Sequence, residues 1–212
     1  VMARLVLASR SPRRFSILSS LGIPFEVTYP REEIEVKWGP CEDPCALAKR
    51  NAMAKAFSIH GLPNSILVAF DTLVWKGGYA YGKPASLEEA YGMLRELSGG
   101  WHEVHTAVCA VDMGKGESIS DCEVTRVKFK ELTEREIELY LSAGEALDAA
   151  GGYAIQGLAS LLIERIEGDY FNVVGLPLHR LRSILLSLGV DLLEEAVRMR
   201  KAMMNLSHAL NL

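Results

Sequence analysis

Residues 5–14, LVLASRSPRR, constrain the fold more than any other stretch. Leu5, Val6, Leu7 and Ala8 form a short apolar run that reads as a buried strand. Ser9, Arg10 and Ser11 break it. Pro12 then stands where a first helical residue is favoured, with Ser11 as N-cap. Ile17, Leu18 and Leu21 follow at helical spacing, and Gly22 ends the run. The order is strand, tight turn, helix. Arg13 and Arg14 fill the first helical turn, where the macrodipole is positive and cations are unfavourable. An anion would offset that cost, because helix N-termini bind phosphate and Arg adds bidentate contacts. A polyphosphate cradle and a solvated pair of surface arginines are both open readings of these residues.

Further along, residues 25–29 read as a short strand and the acidic stretch 31–35 (REEIE) as loop. Asp43 and Pro44 open a helix to about residue 60, with Leu47, Ala48 and Ala52 on its apolar face. Residues 66–70 (ILVAF) are a second buried strand, with Asp71 and Thr72 at its C-terminal end. Open α/β sheets bind ligands outside the carboxyl ends of their strands, so Asp71 is a site candidate, although Asp also caps turns. A hairpin turn at Lys76-Gly77-Gly78 then returns the chain, which brings Lys83 back towards Asp71. Ser86 and Glu89 predict a capping box for the helix that ends at Gly99.

From Trp101 the hydrophobic period changes from helical to two. Residues 101–111 and 117–130 read as long strands joined near Gly114. His102 and His105 lie three apart on the first, hence on opposite faces, and make a poor metal pair. Thr133 and Glu136 form another capping box. The glycines around Gln156 (GGYAIQG, 151–157) fit close approach of backbone to a ligand, or a structural turn. Residues 161–166 read as a strand, Pro177 starts a helix to about 188, and Asp191 caps a final one.

With 49% apolar residues over 212 positions, the chain can build a substantial core. Its net charge of −4 argues against a general nucleic-acid or membrane binder. No run approaches the ~20 apolar residues of a membrane span, and no signal peptide is evident, so a cytoplasmic location is expected. Cys41 and Cys45 form a lone C-x3-C without a second pair, so reduced, partly buried thiols are expected rather than a structural zinc. Gln156 is the only glutamine, so its retention calls for a reason.

Seven segments in this order resemble the Maf family of nucleoside triphosphate pyrophosphatases. They are ASRSPRR (8–14), Glu32-Glu33, DTL (71–73), GKP (82–84), LSGGWH (97–102), YAIQG (153–157) and VVGLP (173–177). The resemblance implies an α/β fold with an elongated mixed β-sheet flanked by helices, like the inosine triphosphate pyrophosphatases. It implies one such domain over 1–188, with two lobes around a cleft as an option, and a C-terminal helical extension over 189–212. The implied activity is hydrolysis of a nucleoside triphosphate to monophosphate and pyrophosphate by a homodimer, with a divalent cation (Mg²⁺, Mn²⁺ or Co²⁺).

YAIQG is similar to the dTTP/UTP branch, whereas a Glu tends to replace the Gln in the branch acting on 7-methyl-GTP. An amide suits the imide edge of uracil or thymine. By position, Asp71 is implied as general base or metal ligand and Glu33 as a second metal ligand. Ser9, Arg13, Arg14 and Lys83 are implied to hold the triphosphate, and Thr72 and Gln156, with Arg13, to shape base choice.

The family Lys of the second helix aligns with Asn51. Lys49 or Lys55 could replace it only with a changed register. The family Arg after LSG is Gly100, and the Gly after the strand Thr is Ala107. Asn51 keeps a second function in view, a nucleotide-binding regulator of cell division with little catalysis. Another base preference is the third. A haloacid-dehalogenase reading of Phe70-Asp71-Thr72 fails because Leu73 stands where a second Asp is needed, and no Walker A pattern exists.

Overall fold

The computed structural model describes residues 4–30 and 39–210. Glu33 and the rest of the acidic stretch 31–35 lie outside the described residues. The opening forms as its sequence dictates. Strand β1 (Arg4–Ala8) leads into helix α1 (Pro12–Ser20), whose N-cap Ser11 accepts a hydrogen bond from the Arg14 N–H. Strand β2 (Glu26–Thr28), helix α2 (Pro44–Phe57) and strand β3 (Ser65–Lys76) follow. Then come β4 (Tyr79–Tyr81), α3 (Leu87–Leu97), β5 (Trp101–Asp112), β6 (Glu117–Phe129) and α4 (Glu134–Ser142). Short 3-10 turns cross 146–161 before β7 (Ile163–Glu167), α5 (Tyr170–Val174), α6 (Leu178–Ser187) and α7 (Leu192–Leu210).

The sheet is mixed, as expected, with order β2-β1-β3-β5-β6-β7. β1 pairs parallel with β2 and β3, and the other pairings are antiparallel. One edge of β3 is taken by β5 over residues 66–75. The other edge is shared: β1 pairs residues 65–69 and β4 pairs residues 74–76. Between them β3 runs on with this edge open to side chains rather than to a strand. Asp71 and Thr72 stand in that gap. They were expected at a strand end, but β3 does not end there. It ceases only to pair with β1, because β1 stops at Ala8.

Side-chain alternation splits the core into layers. Leu5, Leu7, Val68 and Phe70 pack with Leu18 of α1 and Leu181 and Leu185 of α6. Val6, Ala8, Leu67, Ala69 and Leu73 face Ala48, Ala52 and Ala56 of α2. A third cluster joins α3 and α4 to Val104, Val127 and Phe129. Beyond α6, Val190 and Leu192 are buried in the first cluster. Among the described residues no helix is long and apolar enough to cross a membrane.

Two local expectations need correction. Ser86 caps α3, but the Glu89 carboxylate accepts from the Ala85 N–H instead of closing the box on Ser86. Thr133 and Glu136 do form their box. The second correction concerns the thiols. Cys45 and Cys122 are joined as a disulfide, and Cys41 and Cys109 are free. The reason is packing: α2 lies across β5 and β6 and brings two Cα atoms 77 residues apart to 5.8 Å. Neither residue's neighbours in sequence announce that approach.

Candidate active site

The gap in β3 is the floor of a cavity of about 500 Å³. Ser9, Ser11, Arg13 and Arg14 line it from the β1–α1 turn and the first turn of α1. Lys83, Asp148 and Tyr153 line it from the segments after β4 and α4. Strand alternation turns the two floor residues opposite ways. Asp71, on the face of Ala69 and Leu73, lies under α2. There Asn51 Nδ2 donates to Oδ2 at 3.0 Å and Lys55 Nζ donates to Oδ1 at 2.6 Å. Lys55 also donates to the Phe70 carbonyl, 3.2 Å away, at the open strand edge. Asn51 and Lys55 are four apart, so one face of α2 delivers both. Asp71 is buried, and its carboxylate is held from both oxygens.

Thr72 points the other way. Its hydroxyl accepts from Arg14 Nη2 at 2.9 Å and meets Thr106 Oγ1 at 3.0 Å. Arg14 Nε donates to the Gly175 carbonyl at 2.6 Å, Nη1 reaches Ser9 Oγ at 3.4 Å, and the guanidinium lies 5.4 Å from the Phe70 ring centre. Arg14 therefore organises the wall between β3, the β1–α1 turn and the loop after α5. Gly175 has φ +108, and a Cβ there would come within 3.3 Å of Thr72 Oγ1. Arg13 Nη2 donates to the Asp148 carbonyl at 2.7 Å. Lys83 Nζ stands 3.9 Å from the Asp148 carboxylate.

On the wall, the Tyr153 hydroxyl is 2.7 Å from His102 Nε2. Burial raises the Tyr153 phenol far above its usual range and pushes His102 down to about 3, helped by the Lys76 charge. This wall is therefore neutral, and Val74, Ala154 and Ile155 extend it. Gly151 adopts φ +69 with a would-be Cβ 2.8 Å from Val74 Cγ2, so packing explains this glycine. Gln156 is exposed and follows the wall residues without being one of them.

Of the expected site residues, Ser9, Arg13, Arg14, Asp71, Thr72 and Lys83 thus line one cavity. Gln156 stands outside its wall, and Glu33 lies outside the described residues. Lys55 reaches Asp71 without any change of register, from the turn of α2 after Asn51.

A sequence profile for Maf-like protein matches residues 4–188. The chain belongs to the Maf family. Curated relatives include the dTTP/UTP pyrophosphatase of Caldicellulosiruptor bescii. It is 42% identical over 197 residues, 91% of this chain and 98% of that protein. The dTTP/UTP pyrophosphatase of Syntrophomonas wolfei is 44% identical over 188 residues, 88% of this chain and 98% of that protein. Among solved structures, a HAM1 protein from Coxiella burnetii aligns with 98% of this chain and 100% of that one, at TM-score 0.43 and 13% identity. Helix α7 lies beyond the residues matched by the Maf profile.

Proposed function

We propose that this Maf-family chain hydrolyses dTTP and UTP to the monophosphate and pyrophosphate. The observation that carries this reading is the fixed Asp71 carboxylate at the floor of a cavity lined by Arg13, Arg14, Lys83 and the N-terminus of α1. A polyphosphate needs such cations and amides, and one carboxylate among them can handle water. Relatives that carry the dTTP/UTP pyrophosphatase name match nine-tenths of the chain.

In this reading Ser9, Arg13, Arg14 and Lys83 bind the triphosphate. Asp71 orients the attacking water and takes its proton as the water attacks the α-phosphorus in line. The basic side chains neutralise the charge that moves onto the leaving pyrophosphate. Among the described residues Asp71 offers a carboxylate donor, which suits a hard cation, because Mg²⁺ needs only one or two carboxylates beside substrate phosphates. Asp71, with Glu33, would hold it, and it would supply further charge neutralisation there. The neutral wall of Tyr153, Ala154 and Ile155 takes the base; Thr72 on the floor and Gln156, which follows the wall in sequence, are assigned to discriminating its edge. The nucleotide-binding regulator rested on Asn51. Lys55 weighs against it, since an ammonium still meets Asp71.

The test is pyrophosphate release from dTTP, UTP, CTP, 7-methyl-GTP and ITP with Mg²⁺ or Mn²⁺. Selective turnover of dTTP and UTP is expected. Turnover of 7-methyl-GTP or ITP instead would overturn the base assignment, and tight binding without release would return the regulator to first place.

A further inference from the structure

A second cluster lies under the other end of α2. Among the described residues, one group of side chains gathers three metal-ligating atoms: Cys45 Sγ, a ring nitrogen of His105 and Cys122 Sγ, all within 4.8 Å of one another. They come from three elements, the first turn of α2, β5 and β6. Cross-strand pairing puts His105 opposite Leu73 and Cys122 opposite Ala107, on the face that α2 covers. We propose that, once the Cys45–Cys122 disulfide is reduced, Cys45, His105 and Cys122 bind a soft divalent cation of the zinc class. This site is distinct from the cavity and from any hard cation at Asp71.

Three features support it. His105 is buried, and its Nε2 lies 2.9 Å from the Glu103 carboxylate while Nδ1 lies 3.4 Å from Cys45 Sγ. A carboxylate that accepts a hydrogen bond from the Nε2–H leaves the Nδ1 lone pair directed at the Cys45 sulfur, the arrangement that orients metal-bound imidazoles. Cys45 sits in the first turn of α2, where the helix dipole favours a thiolate. Two thiolates and one imidazole are the ligand set of open tetrahedral zinc sites.

The chemistry balances with a dithiol as reductant. It gives up two electrons and two protons and closes its own disulfide, while the Cys45–Cys122 bond becomes two thiols. Metal binding then releases both thiol protons, forms two metal–sulfur bonds and one metal–nitrogen bond, and leaves the fourth position to water. Two sulfurs on a tetrahedral Zn²⁺ lie about 3.8 Å apart, from Zn–S bonds of about 2.3 Å. With Cα atoms 5.8 Å apart, side-chain rotation supplies that separation.

Co²⁺ is the probe. Full-length protein is reduced with a dithiol, desalted without oxygen and titrated. One equivalent should bind with a sulfur-to-cobalt charge-transfer band and the strong visible bands of a tetrahedral ion, and Zn²⁺ should abolish both. Oxidised protein should show neither. Cys41→Ser with Cys109→Ser should keep the bands, Cys122→Ser and His105→Ala should lose them, and Glu103→Gln should weaken binding about 10–100-fold. Reduced wild-type protein without the charge-transfer band would overturn the proposal, as would its persistence in Cys122→Ser. Co²⁺ held by oxygen ligands at Asp71 gives no such band. The comparison of reduced with oxidised wild-type protein needs no substitution to fold.

Discussion

Among the described residues two ion pairs line the cavity, and they differ in almost every respect. Lys55 and Asp71 are 12% and 9% exposed by side chain and meet at 2.6 Å, with Asn51 on the second oxygen. Lys83 and Asp148 are 59% and 88% exposed and meet at 3.9 Å. The first pair is set by a helix packed on a strand, so its geometry comes with the core. The second joins a loop residue to the end of a short 3-10 turn at the exposed rim, where screening and side-chain entropy leave little net attraction. A buried pair of this kind fixes a carboxylate for chemistry. An exposed pair can exchange its carboxylate for a substrate phosphate. In the proposed hydrolysis the buried pair supplies the group that does not move, and the exposed pair the one that rearranges around the triphosphate.

The largest effect should come from Asp71→Asn, which keeps the shape and removes the base. Turnover of dTTP should fall about 10³-fold or more, measured as pyrophosphate release at saturating substrate. Full turnover would end the assignment of Asp71. Next comes Lys55→Met. Removing one partner of a buried pair costs about 3 kcal/mol, at the lower end here because Asn51 remains. For a chain of this size that is a fall of about 6–12 °C in Tm. The kcat should drop about 10–100-fold, because Asp71 loses one of the donors that orient it. Neither loss should respond to added salt. A variant with wild-type Tm and kcat would show that α2 does not hold the carboxylate.

Most elements were legible because their signals are local. Ser11-Pro12 opens α1, Thr133 with Glu136 opens α4, and the period of two marks β5 and β6. Asp71 stood out as polar beside the apolar run ILVAF. What sequence spacing missed are contacts made by packing. Alignment with the family points to position 51 rather than to Lys55, although four residues place 51 and 55 on one helix face. Arg14 reads as a phosphate ligand, yet it also braces Gly175, a residue 161 positions away. The disulfide joins α2 to β6 only through the layering of the whole sheet. The two histidines show the same limit. Period two put them on opposite faces, but only the fold gives His102 its Tyr153 partner and His105 its Cys45 and Glu103 neighbours.

The smallest effects should fall on the exposed pair, and their salt dependence separates the two walls. Lys83→Ala removes a cation that meets phosphate only in the complex. A charge-assisted hydrogen bond of this sort is worth about tenfold in KM, with kcat changing less. The Tm should move by about 2 °C or less, since the loops pack without the pair. Asp148→Asn takes away the negative charge beside Lys83, so KM for dTTP should stay level or fall by at most about threefold. Both shifts should shrink between low and physiological salt, because the Debye length drops from about 30 Å at 0.01 M to about 8 Å at 0.15 M. If Lys83→Ala instead lowered Tm as much as Lys55→Met does, the two pairs would be alike in kind. The division of the cavity into a fixed wall and an exchangeable one would then fail.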